Sequence, residues 1–115
     1  MISARLRFHG HGSLRYLYKN GGTIRSRLFT LKVIANPRRK NSRFTVVVSK
    51  KVHKSAVGRN RIRRRVYEII RNAYPNFTQT SDVAVIVTNS EVLSLEQTEL
   101  VSILHELLTE AKLLP

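Results

Sequence analysis

The segment from residue 49 to 74, SKKVHKSAVGRNRIRRRVYEIIRNAY, constrains the fold more than any other part of the chain. Apolar residues recur in it at the i, i+4, i+7, i+8, i+11 spacing of one helical face: Ile62, Val66, Ile69, Ile70 and Ala73. On the helical projection, the residues that point away from this stripe are Arg61, Arg64, Arg65 and Arg71, and Arg63 flanks it. The pattern predicts a helix that packs against a core and presents arginines on its other side. Because like charges at helical spacing repel, this front predicts an anionic partner.

Charge is divided unevenly along the chain. Residues 1 to 74 contain 20 Lys and Arg and one acid, whereas residues 75 to 115 contain one Lys and six acids. The two parts carry +19 and −5, which together make the net charge of +14. Such an imbalance indicates a polyanion bound by the first part, and nucleic acid fits this better than an anionic membrane. The alternative is a solvated basic surface without a dedicated partner, although solubility alone does not call for so large an imbalance.

Composition limits the class of protein. At 115 residues the chain is expected to form one domain, residues 1 to 115. It has no cysteine, which excludes disulfides and thiolate chemistry and is compatible with a reducing cytoplasm. No apolar run approaches the ~18 residues of a membrane span, so no membrane association is expected. Residues 1 to 12 are expected to form a flexible basic segment, and the His9 and His11 pair in it is a weak metal candidate.

Periodicity predicts six elements in the order α-β-β-α-β-α. Ser13 is the expected N-cap of a short helix that ends at Gly21. Alternating residues predict strands over 28–35 and 44–49, joined as an antiparallel hairpin. The arginine helix follows, with Ser55 as its expected cap and Pro75 just beyond its end. Residues 83–88 are apolar on both faces, which predicts an interior strand with a parallel partner.

The final element is an amphipathic helix that begins near a capping box formed by Ser94 and Gln97. Its apolar residues are Leu100, Ile103, Leu104, Leu107, Leu108 and Ala111. The whole is predicted to be an α+β two-layer sandwich in which helices pack on a small mixed sheet. One face of this sheet is mixed in character, and it is expected to form a concave floor from Thr30, Lys32, Ile34, Thr45 and Val47.

The sequence offers no set of catalytic groups. A two-metal nuclease needs several converging carboxylates, but no acid precedes Glu68, whose expected role is an ion pair on the arginine face. A Walker-type phosphate loop is absent, and no histidine has a carboxylate at a spacing that suggests an oriented base. No catalytic or metal-binding residue is therefore expected on this chain.

Two motifs in order resemble the protein subunit of bacterial ribonuclease P. Ser49-Lys50-Lys51 is followed after seven residues by Arg59-Asn60-Arg61, with Ile62, Arg63 and Arg64 next. The resemblance extends to the segment 14–21, to Phe29-Thr30-Leu31 and to Asp82, and so covers most of residues 5 to 90. It implies a ribosomal-protein-like fold with a left-handed β-α-β crossover, although such crossovers are nearly always right-handed.

The resemblance also implies a function. The chain would be the protein component of a ribonucleoprotein endonuclease that removes the 5′ leader of precursor tRNA, with its Mg²⁺ and catalytic centre on the RNA. Its partners would be the catalytic RNA subunit and precursor tRNA, and no obligate protein partner is evident. The implied RNA-binding residues are Arg59, Asn60, Arg61, Arg63, Arg64, Lys50 and Lys51. The implied leader-cleft residues are Leu14, Tyr18, Phe29 and Lys32.

This chain departs from the family pattern at four positions. Leu14 occupies a place that is commonly Phe, and Lys32 one that is often aromatic, so phosphate contacts are expected to replace some base stacking in the cleft. Tyr67 stands where Arg is common, and Arg65 stands at a place that is usually apolar. The competing hypothesis is a structural RNA-binding protein, such as a ribosomal protein, whose charge requirements would be the same.

Overall fold

The computed structural model describes residues 11–36 and 42–115, with side chains from Arg15 onward. Its elements are α1 (His11–Asn20), β1 (Gly22–Arg25), β2 (Phe29–Ala35), β3 (Arg43–Val48), α2 (Ala56–Ala73), β4 (Ser81–Val87) and α3 (Gln97–Glu110). Short 3₁₀ turns lie at Tyr74–Asn76 and Ser90–Leu93. The predicted order is confirmed, with one strand, β1, added to it. None of the helices in the described ranges is long and apolar enough to cross a membrane.

The four strands form one mixed sheet in the order β1-β2-β4-β3. β2 is antiparallel to both β1 and β4, and β3 is parallel to β4. The predicted hairpin between β2 and β3 is therefore wrong, because β4 lies between them. β4 is the interior strand that its apolar composition predicts, and every residue in it except Ile86 is buried.

The connection from β3 through α2 to β4 is left-handed. Thr88 N donates to Leu28 O, and Asn36 N donates to Thr80 O, so the even-numbered positions along β4 direct their backbone polar groups toward β2. The side chains at these positions lie on the face opposite α2, since Val83 and Val85 belong to the core beneath α2. For L-residues, this alternation of side chains and backbone groups fixes the sides of β4. When the sheet is viewed from α2 with β4 pointing up, β2 lies on the left of β4 and β3 on the right. The chain therefore moves from right to left as it passes from β3 through α2 to β4, which is a left-handed crossover. The resemblance implies this hand, which is contrary to the usual rule.

One face of the sheet carries the main core, against which α2 and α3 pack. All five residues of the predicted α2 stripe are buried, and they join Phe44, Val83 and Val85 in one apolar cluster. α3 contributes Leu100, Leu104, Leu107 and Leu108 to this cluster, while His105 is exposed. The Tyr67 hydroxyl accepts a hydrogen bond from Val46 N at 3.2 Å and so covers part of the outer edge of β3.

The helix α1 packs on the opposite face through Leu17, which is 1% exposed. At Gly21 a Cβ atom would lie 2.6 Å from Leu17 O and 3.1 Å from Val33 O, so only glycine allows the chain to leave α1 this close to the sheet. Most of this face remains open, because the main contacts of α1 are with β2 and β4.

Two of the expected helix caps are wrong. α1 begins at His11, before Ser13, so residues 11 and 12 are helical rather than part of a flexible segment; residues 1–10, including His9, lie outside the described residues. α3 has Glu96 at its N-cap position, and Ser94 instead ends the preceding 3₁₀ turn, where its hydroxyl donates to Glu91 O. The predicted Ser94–Gln97 capping box does not form, because Ser94 already ends the 3₁₀ turn. At the start of that turn, the Asn89 side chain accepts a hydrogen bond from Glu91 N.

Candidate nucleic-acid interface

The N-terminus of α2 is held by a compact set of contacts. Ser55 caps the helix as predicted, since its hydroxyl accepts from Gly58 N at 3.2 Å. The His53 ring lies over Gly58, where an added Cβ would clash with the ring atoms. His53 Nδ1 accepts from Ser55 N at 3.1 Å. The space that glycine leaves at position 58 is therefore occupied by the His53 ring of the same chain.

The front of α2 is cationic and open. Arg61 and Arg64 are exposed, as the helical projection predicts. Asn60 is also exposed, and Arg63 is half-buried. Lys50 and Lys51 are exposed in the turn that leads from β3 to α2. Within residues 11–36 and 42–115, no hydrogen bond or ion pair engages the side chain of Arg61, Arg63 or Arg64. These guanidinium groups are available for phosphates, which arginine binds through two parallel hydrogen bonds.

Two other arginines of α2 bind the chain itself. Arg59 Nη1 donates to His53 O at 3.0 Å and to Lys54 O at 2.9 Å, which fixes the loop before the helix. The Arg65 guanidinium donates to three carbonyl oxygens, of Val92 at 2.7 Å, of Leu93 at 3.1 Å and of Leu95 at 2.5 Å. Arg65 does not point freely outward as the projection suggested, because these carbonyls of the 3₁₀ turn bind it.

The acid on this helix is paired, as the sequence predicts. Glu68 forms an ion pair with Arg71 one turn later. The hydrogen bond from Arg71 lowers the pKa of the Glu68 carboxyl, and the same bond raises the pKa of Arg71. Glu68 thus lowers the positive charge at the C-terminal part of α2 and leaves the N-terminal part as the more cationic one.

The residues of the predicted floor lie together on the face that α2 and α3 leave open. Its five members are all half-buried: Thr30, Lys32, Ile34, Thr45 and Val47. Ile86 and the buried Ala84 of β4 lie between them, which sequence reasoning missed because β4 was not expected between β2 and β3. We call this surface, together with the flank of α1 that carries Tyr18, the sheet cleft.

The residues assigned to a leader cleft fall in different places. Tyr18 is 37% exposed, and burial raises the pKa of its phenol. Lys32 lies on the floor, where its Nζ donates to Thr23 Oγ1 at 2.5 Å. Phe29 is a correction: it is 0% exposed in the core under α2 and α3, because odd-numbered residues of β2 face the other side of the sheet. The side chain of Leu14 lies outside those described.

The other flank of α1 borders a separate pocket of about 380 Å³. Tyr16, about 200° around the helix from Tyr18, forms one wall and is 60% exposed. At its floor Arg43 binds Asp82 through two hydrogen bonds, at 3.0 and 2.8 Å, and Asn36 donates to the same carboxylate at 3.1 Å. Both ionic groups are largely buried, so this pair holds the starts of β3 and β4 together.

Metal ligands do not converge anywhere in the described part of the chain. No group of three or more His, Cys, Asp or Glu residues there could hold an ion. The Asp82 carboxylate is bound by Arg43, and the Glu68 carboxylate is bound by Arg71. What the arrangement offers is a cationic helix front and, on the opposite face of the sheet, a half-apolar cleft. These two surfaces suit RNA backbone and unpaired nucleotides respectively.

Comparison with known proteins decides the family. The family model described as Ribonuclease P matches residues 2–112 of this chain. The chain belongs to the ribonuclease P protein family. A ribonuclease P protein component from Chloroflexus aurantiacus is 38% identical over 101 residues, which cover 88% of this chain and 73% of that protein. The one from Carboxydothermus hydrogenoformans is 36% identical and covers 87% and 83%.

Other members of the ribonuclease P family match over a shorter part. For the Prochlorococcus marinus AS9601 protein, 36% identical over 78 residues, the match spans 58% of this chain and 61% of the relative. Among solved structures, a ribonuclease P protein from Staphylococcus aureus has a TM-score of 0.84 at 24% identity and covers 96% of this chain and 98% of its own. This likeness confirms the fold, including the mixed sheet and three helices.

Proposed function

We propose that this chain is the protein component of a ribonuclease P ribonucleoprotein, an endoribonuclease that removes the 5′ leader from precursor tRNA. The observation that carries the proposal is the front of α2, where Arg61, Arg63 and Arg64 stand without partners among the described residues, in a chain of this family. The N-terminal part of α2 binds the catalytic RNA, and the sheet cleft binds the single-stranded leader.

The two surfaces suit two states of RNA. Arginine side chains in a row on a rigid helix can follow the backbone of a folded RNA, because each guanidinium matches a phosphate. The sheet cleft is shallow and partly apolar, with the Tyr18 ring at its side, and such platforms bind splayed nucleotides by stacking. Lys50 and Lys51 lie in the turn that joins β3, which contributes Thr45 and Val47 to the cleft floor, to α2. A leader that emerges from the catalytic RNA would meet them first.

The chain contributes binding rather than bond cleavage. The Mg²⁺ that supports hydrolysis would be held by the RNA, because the described residues do not fit a metal site. Since the leader is absent from mature tRNA, affinity supplied by the sheet cleft favours substrate over product. A cytoplasmic location, where tRNA is processed, follows from the proposal.

RNA co-purification tests this function against the ribosomal-protein alternative. The protein should be recovered from cells with one dominant RNA of a few hundred nucleotides and should restore precursor cleavage by that RNA. Recovery with ribosomal RNA alone would favour a structural protein of the ribosome and would contradict the proposal.

A double substitution tests the helix front. Arg61→Ala with Arg64→Ala should weaken binding of the catalytic RNA and flatten its salt dependence by roughly 1.5 units of log K per log salt, at about 0.7 to 0.9 per phosphate contact. The fold should persist, because both side chains lie off the buried stripe. An unchanged affinity and salt slope would show that this helix is not the RNA-binding surface.

Leader length tests the cleft. Tyr18→Ala should cost roughly 1 to 3 kcal/mol of affinity for a precursor with a leader of several nucleotides, if a base stacks on the ring, and nothing for a leader of one nucleotide. Equal losses at every leader length would mean that Tyr18 supports the packing of α1 instead of binding the leader.

A further inference from the structure

The register of the sheet aligns four side chains across the open face. Arg25 of β1 pairs with Thr30 of β2, Thr30 pairs with Ile86 of β4, and Ile86 pairs with Val47 of β3. We call these four residues the Arg25 row. Three spacings of about 4.8 Å between strands make the row ~14 Å long. It crosses the whole sheet from one edge to the other.

Contacts place Arg25 on the open face. Lys32, on the floor of the sheet cleft, donates to Thr23 Oγ1, so Thr23 shares its face. Arg25 lies two residues further along β1 and therefore points to the same side. Between them, Ile24 packs against the core on the other side of the sheet. Arg25 is exposed, and none of the described residues forms an ion pair or hydrogen bond with its side chain.

Charge and burial change along the row in a way that suits a nucleic-acid strand. Its middle is half-buried and mainly apolar, at Thr30, Ile86 and Val47. Lys50 and Lys51 lie in the turn that follows β3, three and four residues beyond Val47, and Arg25 stands at the other end of the row. Bases can lie over the apolar middle while phosphates meet cations at both ends.

We propose that Arg25 is a leader-binding residue, which contacts a phosphate of leader nucleotides farther from the cleavage site than those bound by Tyr18. This inference rests on the proposed function. The α2 front is the surface assigned to the catalytic RNA, so the leader enters the sheet cleft at the β3 end and leaves it at β1. The β1 strand thereby lengthens the cleft by the width of one strand.

Leader length combined with a matched variant tests this. Arg25→Gln removes the charge at nearly constant length, and the control Lys19→Gln removes one positive charge from α1 on the side turned away from the sheet, opposite Leu17 and toward the Tyr16 flank. One phosphate contact to a single strand contributes about 0.7 units of log K per log salt. Over the tenfold change from 1 M to 0.1 M salt, this slope makes the contribution of the contact to affinity about fivefold larger.

Precursor affinity would be measured for assembled holoenzymes carrying each variant, over a series of leader lengths and salt concentrations. Arg25→Gln should lose about fivefold and about 0.7 of the salt slope only for long leaders, with an onset at a longer leader than the loss from Tyr18→Ala. Lys19→Gln should show no loss that depends on leader length. Thermal melts would verify that both variants fold.

Two outcomes overturn the inference. Arg25→Gln could match Lys19→Gln at every leader length, or it could lose the same affinity with and without a leader. Either result leaves the proposed function intact as long as wild-type affinity rises with leader length and Tyr18→Ala reduces that rise. If wild-type affinity did not depend on leader length at all, the leader-binding role of the cleft would fail instead.

Discussion

Two adjacent arginines of α2 should behave in opposite ways when each is replaced by methionine. Arg65 donates three hydrogen bonds to backbone carbonyls around the 3₁₀ turn, at 2.5 to 3.1 Å, whereas Arg64 is exposed and has no partner in the described part of the chain. Methionine keeps the apolar stem and removes the guanidinium, so the comparison isolates those donors. Arg65→Met should unfold more easily, and Arg64→Met should bind RNA more weakly.

The magnitude follows from the contacts. A hydrogen bond from a charged donor contributes about 1.5 to 3 kcal/mol, but the three share one half-buried group and are not additive. We expect Arg65→Met to lower the free energy of unfolding by about 2 to 4 kcal/mol. That corresponds to roughly 8 to 16 °C in the thermal midpoint of a domain of this size. Arg64→Met should stay within about 0.5 kcal/mol of wild type.

Urea denaturation and RNA titration of both variants would check this. At a temperature where both are folded, Arg64→Met should lose affinity for the catalytic RNA with a flatter salt dependence, and Arg65→Met should retain wild-type affinity. Equal stabilities for the two variants would refute the reasoning that Arg65 supports the fold while Arg64 is left for RNA.

Three further substitutions test the packing by urea denaturation. Ile69→Ala should cost about 2 to 5 kcal/mol, because it opens a cavity in the core; a loss under 1 kcal/mol would contradict this placement. Asp82→Ala should cost about 3 to 5 kcal/mol by leaving Arg43 buried without its carboxylate, and replacing Arg43 with Met as well should recover part of that loss. Gly58→Ala should destabilise the wild type, where its Cβ meets the His53 ring, yet gain about 1 kcal/mol of helix propensity when His53 is already Ala; the same sign in both backgrounds would rule the clash out.

Local sequence patterns predicted most of the helices and strands, because each of these elements is identified by its own periodicity of apolar residues. The α2 stripe is buried at every predicted position, and Ser55 caps the helix. The four-residue strand β1 was missed, since GTIR is too short to show alternation and follows a glycine that also ends α1. Its existence depends on pairing with β2, which the local sequence does not encode.

The site was harder to predict than the elements, because its composition depends on which strands pair, and those strands are far apart in the sequence. The order β1-β2-β4-β3 places β4 where a hairpin was expected, and with it Ile86 in the middle of the cleft floor. Phe29 was assigned to the cleft by resemblance, although the alternation along β2 already placed it with the core residues. Helical projection could not separate Arg64 from Arg65, because only the distant turn at 90–95 gives Arg65 its acceptors.

The most direct test of the central claim is the ratio of affinities for precursor and mature tRNA, measured with the catalytic RNA alone and with the RNA plus this protein. The cleft binds a leader that only the precursor carries, so adding the protein should raise the ratio, and Tyr18→Ala should return it toward the value for RNA alone. A protein that strengthened binding of precursor and mature tRNA equally would contradict the account.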